Sequence, residues 1–202
     1  MRKKTEEKRQ GILSAAKEVF RESGYETSSM SGIAARAGVS KATVYSYFPS
    51  KEALFMEVIL EAGQAHGDAT FSELVASESL EDGLRRLGER HLAFISTPDA
   101  IASARLAIME GQRSALGREF YDRGPGRMIG DLAGYLEGAM GKGQLRAGDP
   151  RWMAEHLKAL YEAGITERRL FGSDADFKPE QLRDCVIRAV DVFLCFYANK
   201  RS

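Results

Sequence analysis

The chain has 202 residues, 44% of them hydrophobic and 29% charged, the balance of a soluble globular protein whose core needs neither metal nor disulfide staples. No apolar run approaches the roughly 20 residues that cross a bilayer. The charged start Met1-Arg2-Lys3-Lys4-Thr5-Glu6-Glu7 lacks the apolar stretch of a signal peptide, so a cytoplasmic protein with no membrane contact is expected. Net charge is zero, but residues 1–60 hold ten Lys/Arg against seven Asp/Glu, a mildly basic head on a mildly acidic remainder.

In chain order, Ile12, Leu13, Ala16, Val19 and Phe20 recur at three and four spacings, predicting a helix over 6–23 that Gly24 ends as a left-handed cap. Ser29 caps a short second helix reaching Arg36 or Ala37, Gly38 makes a tight turn, and Ser40 caps a third helix over 41–47. Pro49 interrupts, and Ser50 caps a fourth helix from Lys51 carrying Leu54, Phe55, Val58 and Ile59. That helix weakens into a Gly/Ser/Glu-containing stretch around Gly67–Glu78, the expected junction between head and body. Further helices are predicted over 80–96, over 99–110, over 114–141 with a kink at Gly124-Pro125-Gly126, over 150–170 behind the Asp149 cap, and from Lys178-Pro179-Glu180 onward. The fold class is therefore all-α, with a helix-turn-helix head at 1–50 and a larger helical domain at 51–202.

A helix that docks in the major groove needs a small supporting helix, a sharp turn and an outer face free of core duties. Residues 30–47 supply that order: Ala34 lets the two helices approach, Gly38 turns, and Val39 and Val44 pin the second helix to the first. Ser40, Lys41, Ala42, Thr43, Ser46 and Tyr47 are left outward, with Lys41 suited to base acceptors or phosphate, Thr43 to base edges and Tyr45 to the phosphate backbone.

The segments "ILSAAKEVF", "GYETSSM" and "IAARAGVSKATVYSYFPSKEALF" together resemble the DNA-binding head of the TetR/AcrR family of bacterial regulators. The resemblance implies a homodimer of about nine helices per chain on a pseudopalindromic double-stranded DNA operator, usually acting as a repressor. It places Ser29 or Met30 at the start of the supporting helix, where backbone amides and the cap face phosphate, and Lys41, Ala42 and Thr43 at the base-reading start of the recognition helix, with Ser40 a helix cap first and a DNA contact second. Tyr45, and Lys51 at the start of the fourth helix, fall on backbone-contacting positions. Short Ser31 and Gly32 depart from the family's longer polar residues there. The tail residues Arg2, Lys3, Lys4, Lys8 and Arg9 read equally as a DNA-seeking arm or a solubilising end.

Family members enclose an effector in the body. His66, Phe71, His91, Phe94, Met109, Phe120, Tyr121, Met128 and Trp152 form the candidate lining, whose apolar bias suits a hydrophobic or amphipathic small molecule, although such a stripe also serves as plain core. Leu160 and Gly164, with Leu182, Val186, Ala189, Val190 and Phe193 on the last helix, are candidates for a four-helix dimer interface or for closing the monomer's own core. Cys185 and Cys195 stand ten residues apart on that helix, roughly 15 Å, too far for an internal disulfide, and read as buried small hydrophobes. An enzyme is disfavoured: the three histidines form no metal signature, and no nucleophile triad or phosphate loop occurs, so neither cofactor nor metal is expected. The competing reading is a helical protein-binding scaffold without operator binding, which outward Lys41, Thr43 and Tyr45 argue against.

Overall fold

A computed structural model describes residues 5–111, 114–173 and 177–199. Within them lie eleven helices, against the nine or so expected. The head consists of α1 (Glu6–Thr27), α2 (Met30–Arg36), α3 (Lys41–Tyr47) and the first turns of α4 (Lys51–Val75). The body adds α5 (Leu80–Ile95), α6 (Pro98–Glu110), α7 (Leu116–Arg123), α8 (Pro125–Gly141), α9 (Pro150–Glu162), α10 (Thr166–Leu170) and α11 (Pro179–Tyr197). The two additional elements come from breaks between α7 and α8 and between α9 and α10. No single helix among the described residues is long and apolar enough to cross a membrane.

Side-chain caps set the helix starts: Ser29, Ser40, Ser50, Ser79, Thr97 and Asp149 each accept a backbone N–H of the following turn. α1 does not stop at Gly24. It kinks there, at φ 75° and ψ 165°, and a last turn runs on to Thr27. Between α2 and α3, Gly38 at φ 65° closes a Schellman turn, its N–H on the Ala35 carbonyl and the Val39 N–H on Ala34. A side-chain-bearing residue there would be strained.

Two cores result. In the head, Ile12, Phe20, Ile33, Val44, Leu54 and Phe55 are almost fully buried, and Ala102 and Leu106 of α6 pack against them. In the body, Leu84, Leu132, Leu157, Tyr161, Val186 and Phe193 centre a cluster drawn from α5, α8, α9 and α11. The Tyr161 hydroxyl, buried with the rest of its side chain, donates to the Leu84 carbonyl at 2.6 Å. Gly88 makes room for its ring, since a Cβ there would lie 2.5 Å from it.

α4 serves both cores, Leu54 and Val58 in the head and Leu74 in the body, so the expected boundary after residue 50 falls on the N-cap of a shared helix. The expected junction around 67–78 is corrected: α4 runs unbroken to Val75 because Thr70 and Leu74 are buried, and that burial offsets the roughly 1 kcal/mol that Gly67 costs a helix interior.

Candidate nucleic-acid interface and ligand cavity

On α3, burial of Val44 on one side leaves Lys41, Ala42, Tyr45 and Ser46 exposed and Thr43 half-buried on the other. The Ser40 hydroxyl accepts from the Thr43 amide and bonds the Thr43 hydroxyl at 2.8 Å, which fixes the side chains at the helix start. The Lys41 ammonium lies 5.9 Å from the centre of the Tyr45 ring. At α2, exposed Ser29 spends its side-chain oxygen on the Gly32 amide. The outer face of the helix pair therefore offers Ser29, Ser40, Lys41, Ala42, Thr43 and Tyr45.

Three of the expected contact residues are committed elsewhere. Met30 buries its side chain in the head core, which leaves its backbone amide at the start of α2 as the group it has to offer. Tyr47 is half-buried, and its hydroxyl accepts from the Thr5 amide at 2.9 Å. Lys51 turns inward: its ammonium donates to the carbonyls of Tyr25 (2.8 Å), Ser28 (3.2 Å) and Glu26 (3.4 Å) and sits 4.3 Å over the Tyr25 ring. It closes the C-terminal carbonyls of α1, where a cation is favoured. Of the tail, Arg2, Lys3 and Lys4 lie outside the described residues, Lys8 is half-exposed, and Arg9 points inward.

Arg9 belongs to a cluster that sequence reasoning missed. The Glu57 side chain, 12% exposed on α4, accepts from Arg9 at 2.5 Å and from both terminal nitrogens of Arg123 at 2.6 and 2.8 Å. The Arg123 hydrogen bonds, against the opposing effect of burial, hold this carboxyl below its ordinary range. Arg9 belongs to the head and Arg123 ends α7, so a single carboxylate ties the two together.

Arg123 also lines a cavity of about 280 Å³ walled by α4, α5, α6, α9 and the α7–α8 joint. His66, Phe71, His91, Phe94, Phe120 and Met128 line it, as the sequence suggested. Met109, Tyr121 and Trp152 do not: all three are exposed, and Trp152 lies on the outer side of α9 at 61% exposure. Periodicity identifies a helix's apolar positions but not which neighbour they face.

The cavity is mostly apolar, and besides Arg123 two clusters of charge lie on its wall. In the more exposed one, Arg127 pairs with Asp68 at 2.6 Å and Asp131 at 3.6 Å. Deeper, Glu162 binds His91 at 2.7 Å and Lys158 at 2.8 Å. Burial pushes the Glu162 carboxyl up, but His91 and Lys158 together outweigh it and bring it down to about 2. His66 stacks on Phe94, ring centres 5.1 Å apart, and its Nε2 bonds the Arg90 carbonyl. Among the described residues no group of three His, Cys, Asp or Glu could hold a metal ion.

The expected dimer residues divide. Val186, Ala189, Val190 and Phe193 are buried in the chain's own core, and Leu160 and Leu182 pack partly against it, so that stripe closes the monomer; Gly164 is exposed in the break after α9. The opposite faces of α9 and α11 are the open ones. An aromatic series runs across them from Trp152 through His156 and Tyr197 to Phe196, with Val192 and Cys195 exposed alongside. Cys195 is thus on the surface and Cys185 half-buried, a correction to the expectation that both are core residues.

Residues 12–58 match the family described as "Bacterial regulatory proteins, tetR family", and residues 82–199 match "AefR-like transcriptional repressor, C-terminal domain". A solved structure of a putative TetR-family transcriptional regulator from Mesorhizobium loti is 30% identical, with a TM-score of 0.82 over 97% of this chain and 100% of that one. The flavonoid-responsive regulator FrrA is also 30% identical, at a TM-score of 0.68 over 98% of this chain and 100% of its own. The HTH-type transcriptional regulator UidR of Escherichia coli is 44% identical over 50 residues, 25% of this chain; the match spans about a quarter of that curated relative, 26% of its length.

Proposed function

Since the chain belongs to the TetR family of bacterial transcriptional regulators, and is therefore a DNA-binding regulator and not an enzyme, we propose that it is a homodimeric repressor released from its operator by a small molecule in the cavity. Thr43 reads a base edge, Lys41 reaches a base edge and the phosphate beside it, Ala42 presents its methyl group to the groove, and Tyr45, Ser40 and Ser29 hold the phosphate backbone. With few long arms on α3, part of the specificity falls to DNA shape and to the spacing of the two heads. The effector is a hydrophobic or amphipathic molecule, a reading that FrrA, named for its response to flavonoids, supports.

The observation that carries this reading is the bridge Arg9–Glu57–Arg123, which ties the head to the cavity wall through one carboxylate on α4. A ligand that binds one arrangement of the α7–α8 joint better than another biases α4, and with it the position of the head; the size of that differential sets how far the operator equilibrium can move. The second copy docks on the outer faces of α9 and α11, where Trp152, Val192 and Phe196 form an exposed apolar patch continuous with small Ala159 and Ala163.

Selection of genomic fragments on the purified protein tests the reading. One pseudopalindromic motif should be enriched, and the enrichment should weaken as salt rises. Recovery of fragments without a shared motif would sink it.

A further inference from the structure

The cavity is electrically closed. Four cations stand on or directly behind its wall, and each has a carboxylate: Arg9 and Arg123 share Glu57, Arg127 meets Asp68 and Asp131, and Lys158 meets Glu162. An ion entering this space would lose its hydration and find no vacant counter-charge. At Glu162 and Glu57, whose side chains are mostly buried, it could gain one only by separating a pair and stranding the partner in a poorly solvated site.

The uncharged features point the other way. His66 and Phe94, both on the wall, stack on each other with only 17° between their planes, an arrangement a further flat ring can extend. α4 comes close to that wall at Gly63, where an added Cβ would sit 3.2 Å from the Phe94 ring. One turn later, at Gly67, a Cβ would meet nothing within 4 Å, and both glycines line the cavity. Hydrogen-bonding capacity remains on the wall as well. A carbonyl only accepts, so His66 donates through Nε2 to Arg90 and its Nδ1 keeps a hydrogen-bonding site. Thr166, also on the wall, buries a hydroxyl that has no partner among the described residues.

We infer that the cavity takes an uncharged, flat aromatic molecule bearing a hydroxyl, and discriminates against anionic and cationic molecules of the same shape. This rests on the effector reading above and adds the ligand's charge and shape to it.

Three probes that share a naphthalene ring and differ in charge test it with the full-length protein at neutral pH: 2-naphthol, 2-naphthoate and 2-naphthylmethylammonium. Calorimetry should give 2-naphthol at least ten-fold tighter binding than either ion. Gly67→Phe, which fills open space on the wall, should abolish that binding while keeping the native thermal transition. Glu162→Gln, which releases Lys158 from its carboxylate, should raise 2-naphthoate affinity at least ten-fold and narrow or reverse the preference. The inference is overturned if either ion binds wild type as tightly as 2-naphthol, if none of the three binds, if Gly67→Phe folds yet still binds, or if Glu162→Gln leaves the order unchanged. Failure of the effector reading gives a different signature: 2-naphthol binds in the cavity with the expected charge preference, yet operator affinity does not change.

Discussion

On the outer face of α3 the Lys41 ammonium has only the Tyr45 ring beneath it among the described residues, whereas each cation on the cavity wall lies against a carboxylate. Both regions are small sites built on rigid helices, and they use charge in opposite ways. An open cation on a convex face is hydrated until a phosphate or base edge displaces the water, so its worth appears in affinity and in salt dependence. A paired cation in a cleft has already given up its water to a neighbour, so its worth appears in stability and in the exclusion of ions. The same distinction separates residues within the head, where Arg9 and Lys51 are occupied internally and Lys41 is open.

The largest effect that bears on this contrast is expected at Glu57. Glu57→Ala removes the carboxylate that Arg9 and Arg123 share, leaving Arg9 only its longer 3.5 Å contacts to Glu6 and Glu61, and should cost about 3 kcal/mol. At roughly 2–4 °C per kcal/mol for a chain of this length, thermal unfolding should move down by about 6–12 °C. An unchanged transition would mean that the bridge is only a surface ion pair.

Next comes Glu162, whose carboxyl falls from 4.5 to about 2 in the folded chain. A carboxyl depressed by folding adds stability that is complete above its unfolded value and disappears as pH falls through the folded one. Glu162→Gln should therefore cost up to about 3 kcal/mol near neutrality, and its deficit against wild type should close between pH 4.5 and about 2. Parallel stability curves across that window would show that the carboxylate is not held by His91 and Lys158.

A smaller loss is expected at Lys51. Its three carbonyl bonds and its place over Tyr25 are worth about 2 kcal/mol together, so Lys51→Ala should lower the unfolding temperature by roughly 4–8 °C. A variant as stable as wild type would return Lys51 to the group of open cations.

Much of the head was legible in the sequence because its signals are local. Ser29, Ser40 and Ser50 each cap the helix that follows them, and Gly38 sits where the turn demands a positive φ. The recognition face follows once Val44 is placed inside. What the sequence could not carry was partnership across distance. Lys51 looks like a solvated helix-start lysine until α1 is seen to end beneath it, and Glu57 and Arg123 stand 66 residues apart with no spacing rule to join them. Periodicity located the apolar stripe of α11 correctly but could not say whether it faced its own chain or a second copy; the structure turns it inward and leaves Phe196, 59% exposed, on the other side. Gly63 and Gly67 were the missed local signal. Two glycines one turn apart inside a long helix cost stability, and here they stand on the cavity wall.

The most direct test of the contrast between open and paired cations is operator affinity measured by fluorescence anisotropy over a series of KCl concentrations, for wild type, Lys41→Ala and Lys51→Ala, at a temperature where all three are folded. If Lys41 meets the phosphate backbone in both half-sites, its loss should weaken binding about ten-fold and reduce the slope of log affinity against log salt by roughly two, while Lys51→Ala keeps the wild-type slope. Equal slopes for wild type and Lys41→Ala, or a larger change for Lys51→Ala, would contradict the account.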